Sequence, residues 1–197
     1  DAPVVARETG PGRAEIQAEQ GIMLPVIIAR HTSGSSATVV YLDDSGAEAA
    51  NASGLIGKIA QTGRTVVAVD VRGIGQSKLV STTRRSGAFV QIFDAETWAS
   101  YSAWQLEDSL LGMRVTDTLR AVDYALSLKG GSGGVQLVGR GMGALLAMLA
   151  TALDSRVTGA VCHGGLVSYA TMASADGTLV GADLIIRGVL KNFDLPD

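Results

Sequence analysis

The segment of this 197-residue chain with the clearest chemical potential is Gly139-Arg140-Gly141-Met142-Gly143. Val135 to Gly139 before the tip reads as a buried strand, and Ala144 to Leu153 after it as an apolar helix. At so sharp a strand-to-helix turn, a serine at the tip would project its hydroxyl above the sheet as a nucleophile. The tip here is Gly141, which has no nucleophilic atom. Glycine also removes the steric cost of a positive-φ turn, so the turn can persist without the chemistry.

Other residues offer alternatives. His163, at the end of the strand expected over Val157–Cys162, could act as a base. It directly follows Cys162, and neighbours on a strand point to opposite faces, so the two cannot pair within that strand. Ser77 closes Asp70-Val71-Arg72-Gly73-Ile74-Gly75-Gln76-Ser77 and is a further nucleophile candidate with no base evident beside it. The structural reading of that run is a tight turn: Gly73 and Gly75 permit it, Asp70 and Arg72 pair or bond backbone, and Ser77 caps it. His31 lies in a polar connection, and neither histidine nor the single cysteine has metal-ligand spacing, so no metal site is expected. Residues 139–144 also satisfy G-x-G-x-x-G/A, the dinucleotide fingerprint. That fingerprint needs an acid at the end of the next strand, where Val161-Cys162-His163 stands, so no cofactor is expected.

Composition narrows the partners. With 47% apolar and 18% charged residues and 25 glycines, the chain has the make-up of an interior-rich α/β domain. A net charge of −3 argues against nucleic acid, since phosphate binding needs a basic excess. No apolar run reaches the roughly 20 residues of a membrane helix. The single Cys162 excludes an internal disulfide. The first residue is Asp1, so the chain is expected to be processed, excised or part of something longer, and its compartment stays open.

The elements that would position these residues follow from periodicity. Residues 1–12 are expected to be an irregular lead-in and 13–197 a single domain. Arg13–Gln20 and Ile22–Arg30 predict an antiparallel hairpin about Gly21. Thr38–Leu42 and Thr65–Val69 predict buried strands, with a helix over Ala47–Gln61 between them. Lys78–Ala103 reads as a long irregular stretch holding Phe89, Phe93, Trp98, Tyr101 and, just beyond, Trp104. A helix is expected from about Gln105 until Gly130, and an amphipathic stretch over Asp183–Lys191. Alternating strands and helices imply an α/β fold: a mostly parallel sheet with helices on both faces, entered through an antiparallel hairpin. Ligands collect at the carboxyl ends of such strands, here Asp43–Gly46, Asp70–Ser77, Arg140–Met142 and Cys162–Gly165.

Three of these segments together resemble the α/β-hydrolase superfamily, and within it the bacterial acetyl xylan esterase-like (cephalosporin-C deacetylase-like) members. They are the D-x-R-G-x-G-x-S run at 70–77, the helix containing Arg114–Arg120, and the elbow Leu137–Ala144 with Gly139 and Gly143. The resemblance implies a carboxylesterase architecture with Gly141 in the nucleophile's place, and an acylated carbohydrate or small ester as ligand. It implies an oxyanion hole made by the Met142 N–H and an N–H of the loop bearing Asp43 and Asp44. Two carboxylates there would repel an oxyanion unless they point away. It also implies that an acid and a histidine should follow the elbow, in a region that would begin where the chain stops at Asp197. The expectation is thus a truncated hydrolase domain lacking its C-terminal strands, with an exposed sheet edge that favours a homodimer. Two functions stand foremost: a hydrolase-fold module without Ser-His-Asp catalysis, or an active esterase drawing groups from another residue or chain. Export is an implication of the resemblance alone.

Overall fold

A computed structural model describes residues 4–31, 37–79, 94–128, 134–175 and 181–197. Phe89 and Phe93 lie outside the described residues. The chain divides into two compact units, one of residues 1–78 and 114–165, the other of residues 79–113 and 166–197.

The larger unit holds the sheet. Its strands are β1 (Ala6–Gly10), β2 (Arg13–Glu19), β3 (Ile22–Ala29), β4 (Ala37–Asp43), β5 (Arg64–Val69), β6 (Val135–Arg140) and β7 (Val157–His163). They form a seven-stranded sheet in the order β1-β2-β3-β5-β4-β6-β7. The first three strands join antiparallel, and β5, β4, β6 and β7 run parallel to one another. The N-terminal hairpin and the crossover strands stand where the apolar patterns predict them.

Residues 1–12 depart from their expectation, because Ala6–Gly10 is a strand. Its burial pattern is almost wholly exposed, so no apolar alternation announces it. Backbone pairing to β2 makes it, helped by an Arg7–Glu15 ion pair at 2.5 Å. The helix expected over 47–61 is two helices, α1 (Ala47–Ala52) and α2 (Leu55–Gln61), broken at Gly54, which adopts φ 76°.

Side chains of alternate parity bury on opposite faces of the sheet. Tyr41, Val66 and Ala68 pack with Ala50, Ile56 and Ala60 of α1 and α2. On the other parity, Val40, Val67 and Leu137 are fully buried. There the helix of Met142–Leu153, which follows β6, passes close to Leu42. One buried ionic contact ties helix to sheet. Arg72, just beyond β5, donates through its backbone N–H and Nε to Asp117 Oδ2 at 2.9 Å each, and through Nη2 to Oδ1 at 2.5 Å. Asp117 is wholly buried on a helix that spans Leu110–Ser127.

In the smaller unit, part of the stretch expected to be irregular is helix α3 (Ala95–Gln105). Asp94 starts it by accepting the Thr97 N–H at 2.8 Å, which holds the Asp94 carboxyl below its usual range. The helix expected from about Gln105 starts instead at Leu110, after α3 has ended at Gln105; this helix, α4 (Leu110–Ser127), belongs to the larger unit from Arg114 on. Asp183–Lys191 is not one amphipathic helix; it contains 3-10 turns at Ala182–Leu184 and Val189–Lys191. This segment is anchored by Tyr169, whose hydroxyl donates to the Leu184 carbonyl at 2.7 Å.

Leu137→Ala is expected to cost about 2–5 kcal/mol, and Asp117→Ala about 3–5 kcal/mol because Arg72 loses its buried counter-charge. Urea unfolding of each variant measures both.

Candidate functional site

The elbow is built by close packing before any chemistry enters. Helix α5 (Met142–Leu153) starts immediately after Gly141, which adopts φ 59° and ψ −124°. The Gly141 N–H donates to the His163 carbonyl of β7 at 2.9 Å, and its own carbonyl accepts the Ala144 N–H at 3.1 Å. A Cβ on Gly139 would collide with the Gly143 backbone, and one on Gly143 would collide with the Leu42 carbonyl. The flanking glycines therefore let the helix start pass against β4 and β6, independent of what stands at the tip.

At the tip, a Cβ on Gly141 would overlap the carboxylate of Asp44. This neighbourhood follows from the register of β4 with β6, in which Asp43 stands opposite Arg140 and the next residues, Asp44 and Gly141, leave their strands side by side. The two carboxylates have different fates. Asp43 is buried and accepts the Tyr41 hydroxyl at 2.6 Å and the Ser45 N–H at 2.8 Å, with Arg140 Nη1 at 3.9 Å. Burial opposes charge on Asp43, but the Tyr41 hydroxyl, the Ser45 N–H, Asp44 and Arg140 together hold its carboxyl below the usual range. Asp44 is exposed at the rim. Its carboxyl is pushed up by partial burial and by Asp43, to which it hydrogen bonds. The pair thus behaves as an ionised Asp43 beside a more readily protonated Asp44. Burial and Asp43 also push the Tyr41 hydroxyl upward.

The Met142 N–H lies in the first turn of α5, where no earlier helical carbonyl is available to it. Beneath it the buried Arg114 donates Nη1 to Met142 Sδ at 3.0 Å and Nε to the Arg72 carbonyl at 2.9 Å. Arg114 was visible in the sequence only as part of a helix.

The remaining candidates fall into distinct places. His163 meets the elbow through its backbone; its side chain is exposed. Cys162 is exposed, with Sγ 3.5 Å from the Ala144 carbonyl. Asp70 is buried and accepts the Ala47 N–H at 2.6 Å and the Gln76 N–H at 2.8 Å, clamping the start of α1 to the turn after β5. A Cβ on Gly75 would collide with that carboxylate. The Ser77 hydroxyl donates to the Asp70 carbonyl at 3.3 Å. Arg72 pairs with Asp117 and Glu19 rather than with Asp70. His31 is half-buried in the connection before β4. Among the described residues, no group of three or more His, Cys, Asp and Glu side chains could hold a metal ion, and no helix is long and apolar enough to cross a membrane.

No family model matches the chain, and no curated protein matches it. Solved structures do. One is a candidate acetyl xylan esterase from Bacteroides fragilis, 14% identical with a TM-score of 0.74, the match covering 98% of this chain and 58% of that one. Acetyl xylan esterase 1 from Thermoanaerobacterium sp. is 20% identical with a TM-score of 0.59, over 85% and 54% of the two chains. A thermostable carboxyl esterase from Bacillus coagulans is 13% identical with a TM-score of 0.53, over 76% and 43%. The chain has the fold of the α/β-hydrolases and resembles these esterases over about half of their lengths.

In the folded chain the Asp44 carboxyl titrates above its ordinary value, so its charge opposes folding at neutral pH and ceases to do so once protonated. Asp44→Asn is expected to raise the Tm near pH 7, by no more than about 1 kcal/mol of stability. The gain should fade as pH falls through the ordinary aspartate value of about 4. Thermal melts of both proteins across that range check the sign.

Proposed function

We propose that the chain is a hydrolase-fold domain that binds an ester or acylated carbohydrate at its strand-end rim without Ser-His-Asp catalysis. One observation carries this reading: Gly141, which has no nucleophilic atom, stands at the elbow tip, and the exposed Asp44 carboxylate lies where its Cβ would be. An acyl-transfer nucleophile is therefore lacking at the tip. The esterases of similar fold supply the ligand class, an ester or acylated sugar.

A second reading draws on the same carboxyl. If Asp44 takes a proton from water in place of the missing nucleophile, the domain is an esterase with an altered centre, and other groups come from elsewhere on this chain or another. Dinucleotide binding through 139–144 is less well supported, because a pyrophosphate at the start of α5 would face the Asp44 carboxylate. A homodimer through the β7 edge belongs to the same proposal: β7 pairs only with β6 among the described residues, and Val161 on it is 63% exposed.

With 4-nitrophenyl acetate, the wild-type chain is expected to release nitrophenol no faster than buffer. Gly141→Ser should behave the same, since a serine hydroxyl alone lacks the adjacent base that would activate it. Titration calorimetry with an acetylated xylobiose should give binding heat with no acetate released. Turnover by the wild-type chain that Asp44→Asn abolishes would establish the second reading instead.

A further inference from the structure

The smaller unit carries an open surface cavity of about 610 Å³ lined largely by exposed residues, a volume within the range of small-molecule sites, roughly 300–1,000 Å³. Trp104, Glu107 and Asp108, at the end of α3, form one part of its lining. Arg187 and Lys191, from the segment around the last 3-10 turn, form another. Two carboxylates and two cations thus face one cavity from separate segments, and no ion pair joins them. Arg187 Nη1 reaches the Trp104 carbonyl at 3.4 Å, and Asp108 Oδ1 accepts the Ser109 N–H at 2.7 Å. The Trp104 ring is held against Tyr101, with centroids 5.3 Å apart.

Glu107 is conspicuous on backbone grounds. Helix α3 ends with the Asp108 N–H on the Ala103 carbonyl at 2.9 Å and the Glu107 N–H on the Trp104 carbonyl at 3.3 Å. That is the paired closure which places a left-handed residue just past the helix, normally glycine. Glu107 occupies it at φ 60°, the one non-glycine residue with positive φ among those described. A side chain kept where the backbone favours none points to use of the side chain itself.

A monovalent cation would be attracted by Glu107 and Asp108 and repelled by Arg187 and Lys191; a simple anion meets the reverse. A ligand with both charges at separate ends satisfies all four groups. We propose that this cavity binds a zwitterion of the amino acid or short-peptide class. Its ammonium group sits at Glu107 and Asp108 beside the Trp104 ring, which can add a cation–π contact. Its carboxylate sits at Arg187, which can donate from two nitrogens, and at Lys191. The site is independent of the elbow and of the reading given to it.

The chain has two tryptophans, so a full-length Trp98→Phe protein leaves Trp104 as its one indole reporter. Glycine, diglycine and triglycine, which carry the same charges at increasing separation, are titrated against it. At least one should change Trp104 fluorescence saturably, and its N-acetyl and C-amide forms should not. Glu107→Gly and Arg187→Gln should each weaken binding roughly tenfold, the loss of one charge-assisted hydrogen bond. Glycine suits the backbone at 107, so the first variant keeps or improves the Tm while losing the carboxylate. Absence of saturable binding at every length would overturn the proposal. So would equal binding of the blocked peptides, indifference to both variants, or binding of the neutral disaccharide cellobiose in place of the peptides.

Discussion

The parallel pairing of β4 with β6 is the constraint on which the site depends. It runs in register from Thr38 opposite Val135 to Asp43 opposite Arg140, so both strands release their chains at the same level. One continues into Asp44 and the other into Gly141. Buried Val40 and Leu137 on the shared face hold that register, since a slip of one residue would turn the apolar set outward. The close seat of α5 then requires Gly139 and Gly143, which admit the helix start against the Leu42 carbonyl. The Asp44 carboxyl and the first-turn N–H of Met142 are both placed by this junction.

Around it the structure uses carboxylates in three ways. Asp70 is buried and wholly engaged with backbone N–H groups, making the turn after β5 and the start of α1 one assembly. Asp117 neutralises Arg72 in the interior. Asp43 and Asp44 divide their roles, Asp43 ionised by its donors and Asp44 left at the surface with a raised affinity for a proton. Of these four carboxylates, Asp44 is the one exposed at the rim.

The elements that bury apolar side chains with regular periodicity were legible in the chain: the hairpin of β2 and β3, the crossover strands, and α5. Ala6–Gly10 was not, because its side chains are exposed and only backbone pairing makes it a strand. Helix α3 was hidden for a related reason, its aromatics Trp98 and Tyr101 being substantially exposed rather than forming an apolar stripe. Gly141 could be read as the elbow tip from local spacing. That Asp44 covers it could not, since the two are distant in sequence and meet only through the strand order. Similarly, Glu107 falls within the helix expected from about Gln105, and nothing in its local sequence announces the left-handed backbone that ends α3 there.

Intact mass spectrometry after incubation with a serine-directed fluorophosphonate tests most directly whether the elbow has lost acyl-transfer chemistry. An unmodified chain at saturating reagent is the expected result, because Gly141 offers no nucleophile at the elbow. A stoichiometric adduct mapped to one residue would contradict it and identify the nucleophile.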